Sequence, residues 1–361
     1  MKSRLAVLVA AVAAALTAYA AVSAAGADAY LYWADPDMHA IGRANPDGTG
    51  VDKRFVTKVG FPQGVAVGFG KLYWSNLAGD SIGRSSRDGT HVDSTFVAGA
   101  GRPQGIAIDA NHIYWASLDR DSIGRVNRDG TGLDPSFISG LQRPQGVAVD
   151  SGHIYWSDAG TDVIGRADLD GKHVERKFIA GASDPDLMAV ARGHLYWANQ
   201  GSNTIARASV NGSAVKQNFV AGAVKPLGVA VSTGHVFWVN GGASSIGRTN
   251  LRGNVVDELF IRGVWAAIGL AVDADDRPPQ TKIAGRVPKR THRHSLKFRF
   301  RSSEKGSSFS CKIDSKRWKR CAAPEKVKHL KAGRHTFRVR AMDTAGNTDK
   351  TPAKSRFKVV G

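Results

Sequence analysis

Six tryptophans stand 41 residues apart in this chain: Trp33, Trp74, Trp115, Trp156, Trp197 and Trp238. Tyrosine precedes each of them except the last, which follows Phe237. The same step carries Ile41, Ile82, Ile123, Ile164, Ile205 and Ile246, each followed two positions later by Arg43, Arg84, Arg125, Arg166, Arg207 and Arg248. It also carries an Asp-Gly pair, from Asp47-Gly48 to Asp170-Gly171, which relaxes to Asn211-Gly212 and Arg252-Gly253. Phe55, Phe96, Phe137, Phe178, Phe219 and Phe260 complete the unit. No insertion or deletion breaks the step across six copies. A period of this length means one supersecondary unit stacked against its own copies.

Each unit holds four strand-like runs. In the fourth copy they are GVAVD (146–150), HIYWSD (153–158), DVIGRAD (162–168) and VERKFIA (174–180). The Asp-Gly between the last two is a hairpin signal, with both central residues expected at positive φ. Aromatic and β-branched residues on both faces of the second run predict a sheet covered on both sides. Four short strands in a repeated unit of 41 residues predict an all-β fold, a six-bladed β-propeller. The first copy starts at its second strand. The run from Ile268 to Asp275 should therefore pair with the N-terminal strands between Tyr30 and Phe55. That pairing closes the ring and removes free sheet edges.

The tetrapeptides YWAD, YWSN, YWAS, YWSD, YWAN and FWVN, each followed by I-x-R and mostly by D-G, resemble the YWTD repeats of the low-density lipoprotein receptor group. The resemblance covers Tyr30 to Asp275. It departs from the pattern in the threonine throughout and in the last residue of four copies, so ligand contacts of the animal receptors do not carry over. It implies a six-bladed propeller used for binding.

At 272–283 the sequence VDADDRPPQTKI breaks the composition, and the repeat stops. The expected division is a leader at 1–26, the propeller at 29–275, a linker at 276–282 and a second domain at 283–361. SLKFRFRS, SFSCKID, HTFRVRAMD and SRFKVV alternate with period two, which suits an immunoglobulin-like β-sandwich. Phe309, Cys311, Ile313-Asp314, Cys321, Leu330, Gly333, His335-Thr336-Phe337, Val339-Arg340-Ala341, Asp343, Ala345-Gly346-Asn347, Asp349 and Thr351-Pro352-Ala353 resemble a bacterial immunoglobulin-like module of exported proteins. That resemblance implies a spacer or adhesion role.

Lys2 and Arg4 precede an apolar run from Leu5 to Val22, with small residues after it. The pattern is that of a secretory signal, cut near Ala24 or near Ala29; an uncleaved anchor is the alternative. The chain is therefore expected outside the cytoplasm, secreted or at the cell surface. In that setting Cys311 and Cys321, ten residues apart and the only cysteines, are expected to form a disulfide.

The net charge of +19 is confined to one end. From Arg277 to Gly361, 25 Lys and Arg face 5 Asp and Glu, a net +20, whereas the rest of the chain sums to −1. RVPKRTHRH and KIDSKRWKRC are the densest stretches. Lys289, Arg290, Arg293, Lys316, Arg317, Lys319 and Arg320 are the expected contacts for a polyanionic cell-surface polymer. A solvated basic surface is the competing explanation. Nucleic acid is disfavoured because aromatics are sparse, with Trp318 and the strand phenylalanines assigned to the core.

Residues present in every copy are read as scaffold. The tryptophans should pack between blades, and the arginines should form salt bridges or hydrogen bonds. His112, His153, His194 and His235 share the step but lie one per blade, about 10 Å or more apart, too far to ligate one metal ion. No metal or cofactor is expected. Function belongs where the repeat breaks, at the start of each inner strand: FPQG, RPQG, RPQG, DPDL, KPLG and AAIG. Phe61, Arg102, Arg143, Asp184, Lys225 and Ala266 occupy the first position there, and Gln63, Gln104, Gln145, Asp186, Leu227 and Ile268 the third. Arg102, Gln104, Arg143, Gln145, Asp184, Asp186 and Lys225 are the candidate ligand contacts, joined by loops between second and third strands such as Leu118–Asp121. The expected function is binding of a protein or glycan by a monomeric, non-enzymatic scaffold. The alternatives are a lactonase- or lyase-like enzyme at the channel and a purely structural envelope component.

Overall fold

In the computed structural model the described residues are 30–273, 279–285, 287–303, 307–342 and 348–361. The expected leader, part of the linker, and Asp343 and Ala345-Gly346-Asn347 lie outside them. The described residues form strands and turns with no helix, so no helix is long and apolar enough to cross a membrane.

Residues 30–273 build six four-stranded antiparallel sheets. We number the blades by their tryptophans. Blade one holds Leu31–Asp35, Ala40–Ala44 and Asp52–Thr57, and its inner strand is Leu270–Val272 from the far end of the repeat. Leu31 pairs with Val272 and Trp33 with Leu270, the closure that the phase of the repeat predicts. The other inner strands are Pro62–Gly68, Pro103–Ile108, Pro144–Val149, Pro185–Ala191 and Pro226–Val231. Each neighbours the next, and Leu270–Val272 touches both the first and the last, so the inner strands close a ring. Arg87 of blade two forms a salt bridge with the buried Asp273 at the end of that closing strand.

The second strand of each blade is buried along nearly its whole length. All six tryptophans are fully buried. In five blades the indole lies over the glycine of the I-G-R run on the neighbouring strand: a Cβ on Gly165 would stand 2.1 Å from the Trp156 ring. Blade five has Ala206 there, and its Trp197 donates Nε1–H to Asn199 Oδ1 at 2.9 Å. The six arginines stack on the repeat phenylalanines of their own blades. Guanidinium to ring-centre distances run from 3.6 Å in Arg84–Phe96 to 4.7 Å in Arg207–Phe219. This cation–π contact is the shared role. The expected salt bridges occur only in some copies, Arg84–Asp93 and Arg166–Glu175 among the described residues.

The Asp-Gly turns depart from expectation at one position. Gly48, Gly89, Gly130, Gly171, Gly212 and Gly253 have positive φ, and the residue before each does not. Gly48 N–H donates to Asn45 O at 2.9 Å and Asn45 N–H to Thr49 O at 2.8 Å, a type I turn followed by a glycine bulge. The aspartate is there for its carboxylate: Asp47 Oδ1 accepts the Thr49 N–H at 2.9 Å. Arginine can therefore stand at 252 without strain.

The C-terminal residues form a three-stranded sheet (Thr281–Ala284, Leu296–Ser302, Glu325–Val327) and a five-stranded sheet (Arg290–Thr291, Ala353–Val359, Gly333–Met342, Ser308–Ile313, Lys319–Cys321). The first strand begins at Thr281, inside the span expected to be linker. Phe298, Phe300, Phe337, Val339, Phe357 and Val359 form a core between the two sheets. Cys311 and Cys321 are disulfide-bonded, as expected, with their Cα atoms 5.8 Å apart. Trp318 is not a core residue. It is half-buried, with Lys312 Nζ 4.9 Å and Arg340 Cζ 4.4 Å from its ring centre.

Candidate functional site: the mouth of the channel

A tight turn brings each outer strand back to the next inner strand. The first residue of the FPQG-type run takes positive φ in four of these turns, at Arg102, Arg143, Asp184 and Lys225. Backbone strain of this kind needs an outside support. The preceding blade supplies it: Arg102 N–H donates to Asp80 Oδ1 at 3.0 Å, Asp184 N–H to Asp162 Oδ1 at 2.8 Å, and Lys225 N–H to Asn203 Oδ1 at 2.9 Å. The loops between second and third strands lie on the same face, as expected. Leu118 N–H donates to Arg102 O, Ala159 N–H to Arg143 O and Gly241 N–H to Lys225 O.

Immediately inside this rim each inner strand carries a bulge. In blade four Pro144 pairs with Asp158 and Val147 with Trp156, so one extra residue is inserted over Gln145-Gly146. Bulges of this kind re-aim side chains. Gln104, Gln145, Asp186, Leu227 and Ile268 are left half-buried around the axis, and Gln63 is buried. The following glycine lets successive inner strands touch backbone to backbone. A Cβ on Gly64 would stand 2.6 Å from Gln104 O, on Gly105 2.7 Å from Gln145 O, on Gly146 2.8 Å from Asp186 O, and on Gly269 2.3 Å from Gln63 O.

Blade five breaks this ring. It has Asp186-Leu187 where three blades have Gln-Gly. The Leu187 side chain reaches past blade four, its Cδ2 3.0 Å from the place a Cβ on Gly105 of blade three would occupy. Residues of all six inner strands leave an axial space of only ≈ 20 Å³ beside it, about one water. The channel is thus constricted at this level. Asp186 sits beside the constriction. Burial pushes its carboxyl up to about 7, against the pull of the Leu187 N–H, which donates to Asp186 Oδ1 at 2.8 Å. Asp184 adds to the rise and Arg143 opposes it.

The mouth has two unlike halves. On one side Arg143 and Asp184 form an ion pair across blades four and five, Arg143 also donates to Ala159 O at 3.1 Å, and Arg102 Nη1 lies 3.6 Å from Asp119. Two of the expected charged contacts are therefore partners of each other. On the other side the turns into blades six and one carry exposed apolar side chains, with Lys225 as the cation among them. Trp265 is 72% exposed and Val224 42%, with Leu227 and Ile268 inside them. Trp265 was not among the expected contacts. It lies one position before the compared residues, where the other copies have Gly60, Gly101, Gln142, Ser183 and Val224, and that column held the signal.

The repeat histidines are the first residues of their strands and lie beside the aromatic two positions on, as His112 does with Tyr114 at 5.8 Å. Among the described residues no three His, Cys, Asp or Glu side chains cluster as a metal site would need. The seven expected polyanion contacts do not form one patch. Arg290 pairs with Lys358 in the five-stranded sheet, with Lys289 beside it. Arg293 lies in a groove with Lys326 and Lys328. Lys316, Arg317, Lys319 and Arg320 border a hollow next to the disulfide.

The family model of the low-density lipoprotein receptor repeat class B matches residues 70–110 and 152–181. No curated protein matches the chain. Among solved structures, a chain of a nidogen/laminin complex is 21% identical over 68% of this chain and 98% of its own length, with a TM-score of 0.61. A catalytically inactive virginiamycin B lyase from Staphylococcus aureus, crystallised with quinupristin, is 18% identical over 76% of this chain and 92% of its own, with a TM-score of 0.51. At these identities both show a shared fold. The repeat match thus places class B (YWTD-type) repeats at 70–110 and 152–181, within a closed six-bladed β-propeller that spans residues 30–273.

Proposed function

We propose that this chain is an exported bacterial binding protein. Its propeller takes a protein or glycan at the channel mouth, and its basic C-terminal domain, read as an immunoglobulin-like module on its two-sheet core, attaches it to an anionic surface. The observation that carries the proposal is the uneven mouth: Trp265 and Val224 stand exposed beside a charged half, on a scaffold that otherwise repeats. Exposed aromatics beside polar groups are what recognition surfaces use. The constricted channel and the mutual pairing of Arg143 and Asp184 leave no assembled acid–base set at the mouth among the described residues, which supports binding over turnover.

The second reading is a lyase- or lactonase-like enzyme. It is favoured by one feature, a carboxyl at about 7 above the axis, where a general acid or base would be effective. The test is to array bacterial and plant glycans and extracellular proteins against the full chain and its Trp265→Ser variant. A substrate screen with lactones and cyclic depsipeptides runs in parallel. The proposal expects at least one ligand that the variant loses by tenfold or more. Ligands held equally by both proteins, or turnover abolished by Asp186→Asn, would overturn it.

A further inference from the structure

The five-stranded sheet of the C-terminal domain turns one face to its core and the other to solvent. Along Gly333–Met342 and Ala353–Val359, Phe337, Val339, Phe357 and Val359 point inward. The alternate residues point out, and they are almost all basic. The strand register sets them in rows: Arg290, Lys358 and Arg334 in one, Lys354, Arg338 and Lys312 in another, and Arg340 and Arg320 either side of Ser310 in a third. Like charges held directly opposite one another cost a sheet stability. Nothing on these strands offsets that cost, because none of the five carries an Asp or Glu.

The domain's described carboxylates are engaged elsewhere. Asp314 holds His335 and the Thr336 N–H at the end of the sheet, Glu325 belongs to the opposite sheet, and Asp349 holds the Thr281 and Thr351 N–H groups. His335–Asp314 is the one ion pair among the domain's described residues. Trp318 lies on the basic face under Lys312 and Arg340, and the buried Arg340 Nε–H has no hydrogen-bond partner among the described residues. A shallow groove runs between Lys289, Arg334, Arg356 and Lys358.

We propose that this sheet face, and not the basic loops, is a binding site for a linear polymer bearing repeated sulfate or phosphate groups. The inference rests on the reading that the basic domain attaches to an anionic surface, and it specifies the place and the chemistry. Neighbouring strands are about 4.8 Å apart, and outward residues on one strand about 6.8 Å apart. The face is therefore a grid of cations matched to a chain with an oxyanion every several ångströms. Arginine forks bind tetrahedral oxyanions in a bidentate manner. Stacked nucleobases would need open aromatic rings, and the Trp318 ring already carries two cations.

Two full-chain variants with equal loss of charge separate the face from the loops. The face variant carries Arg334→Gln, Arg338→Gln, Arg356→Gln and Lys358→Gln. The loop variant carries Arg293→Gln, Lys316→Gln, Arg317→Gln and Lys328→Gln. Heparin and long-chain polyphosphate are the sulfate and phosphate probes, with an oligo-dT single strand as the third, all at 150 mM salt. The expected result is a tenfold or greater loss of heparin or polyphosphate affinity in the face variant, and less than twofold in the loop variant. Thermal melting checks folding, and the face variant should melt no lower than the parent because like-charge pairs are relieved. Equal losses in both variants would reduce the effect to net charge and overturn the proposal, as would full retention by the face variant. Tighter binding of oligo-dT than of either other probe would overturn it in favour of nucleic acid. If the parent chain binds none of the probes, the anionic-surface reading fails along with it.

Discussion

Asp186 and Leu187 are two departures from the repeat in one blade. Leucine in place of glycine narrows the channel, and aspartate in place of glutamine puts a carboxyl beside the constriction, where burial holds its pKa near 7 rather than 3.8. Below about pH 4 this group is protonated both folded and unfolded, and it costs nothing. Between pH 4 and 7 the unfolded chain releases a proton that the folded chain keeps. Stability therefore falls as pH rises through that window, by about 1–2 kcal/mol for a half-buried carboxyl. Asp186→Asn keeps an acceptor for the Leu187 N–H and removes that loss. Urea unfolding should find the variant little different from the parent at pH 4 and more stable at pH 8; an equal difference at both would contradict the assignment. Asp186 was legible in the sequence because it breaks a column of polar residues. Leu187 was not, because reaching past blade four to blade three is a matter of side-chain length that no alignment of repeats displays. Trp265 was missed for a simpler reason: the column it breaks is made of small and polar residues that look like ordinary turn.

At the scale of the element, alternation decides more than density. The stretch KIDSKRWKRC is rich in cations, yet the pleat sends Lys319 to the disulfide side and Arg320 to the outward face, opposite Ser310. GRHTFRVRAM is less dense but places Arg334, Arg338 and Arg340 on one face. Counting charges along the chain mixes Arg290 and Arg320 of the strand face with Lys289, Arg293, Lys316 and Arg317 off it, whereas reading with period two separates the two sets. The arginine–phenylalanine stacks teach the same lesson. Both residues recur on the 41-residue step, but their contact across the third and fourth strands depends on the bulge between Ile164 and Arg166 and its counterparts. The short edge strand Lys319–Cys321 is pinned to Ser308–Ile313 by the disulfide. Replacing both Cys311 and Cys321 with alanine frees a loop of about ten residues and should cost about 2–3 kcal/mol. Chemical denaturation of the full chain, followed by hydrogen exchange of the Ser308–Ile313 segment, would measure it; an unchanged midpoint would show that the ladder alone holds the edge.

At the scale of the whole molecule, one joint carries the closure of the ring. Leu270–Val272 is the shortest inner strand, and it is bonded to the first strand of the repeat from the other end of the domain. The Asp273 carboxylate beside it is buried against Arg87. Arg87→Ala would leave that carboxylate without its cation and should destabilise the propeller by about 2–4 kcal/mol, seen as a lowered thermal midpoint; an unchanged midpoint would mean that the pair contributes nothing to closure. Closure itself was readable in the sequence, since an unbroken period with a displaced start admits one partner for the last strand. The proposed binding site is readable in the sequence only as the place where symmetry fails. The tryptophans supply a probe of that place. Six of the eight are fully buried, Trp318 is half-buried beneath two cations, and Trp265 stands in solvent at the mouth. Acrylamide quenching of the full chain should therefore report chiefly on Trp265, and Trp265→Phe should remove most of the quenchable emission. With the array-selected ligand at saturation, the account predicts that the quenchable fraction falls to the level of that variant. Quenching unchanged at saturation would place the ligand elsewhere and contradict it.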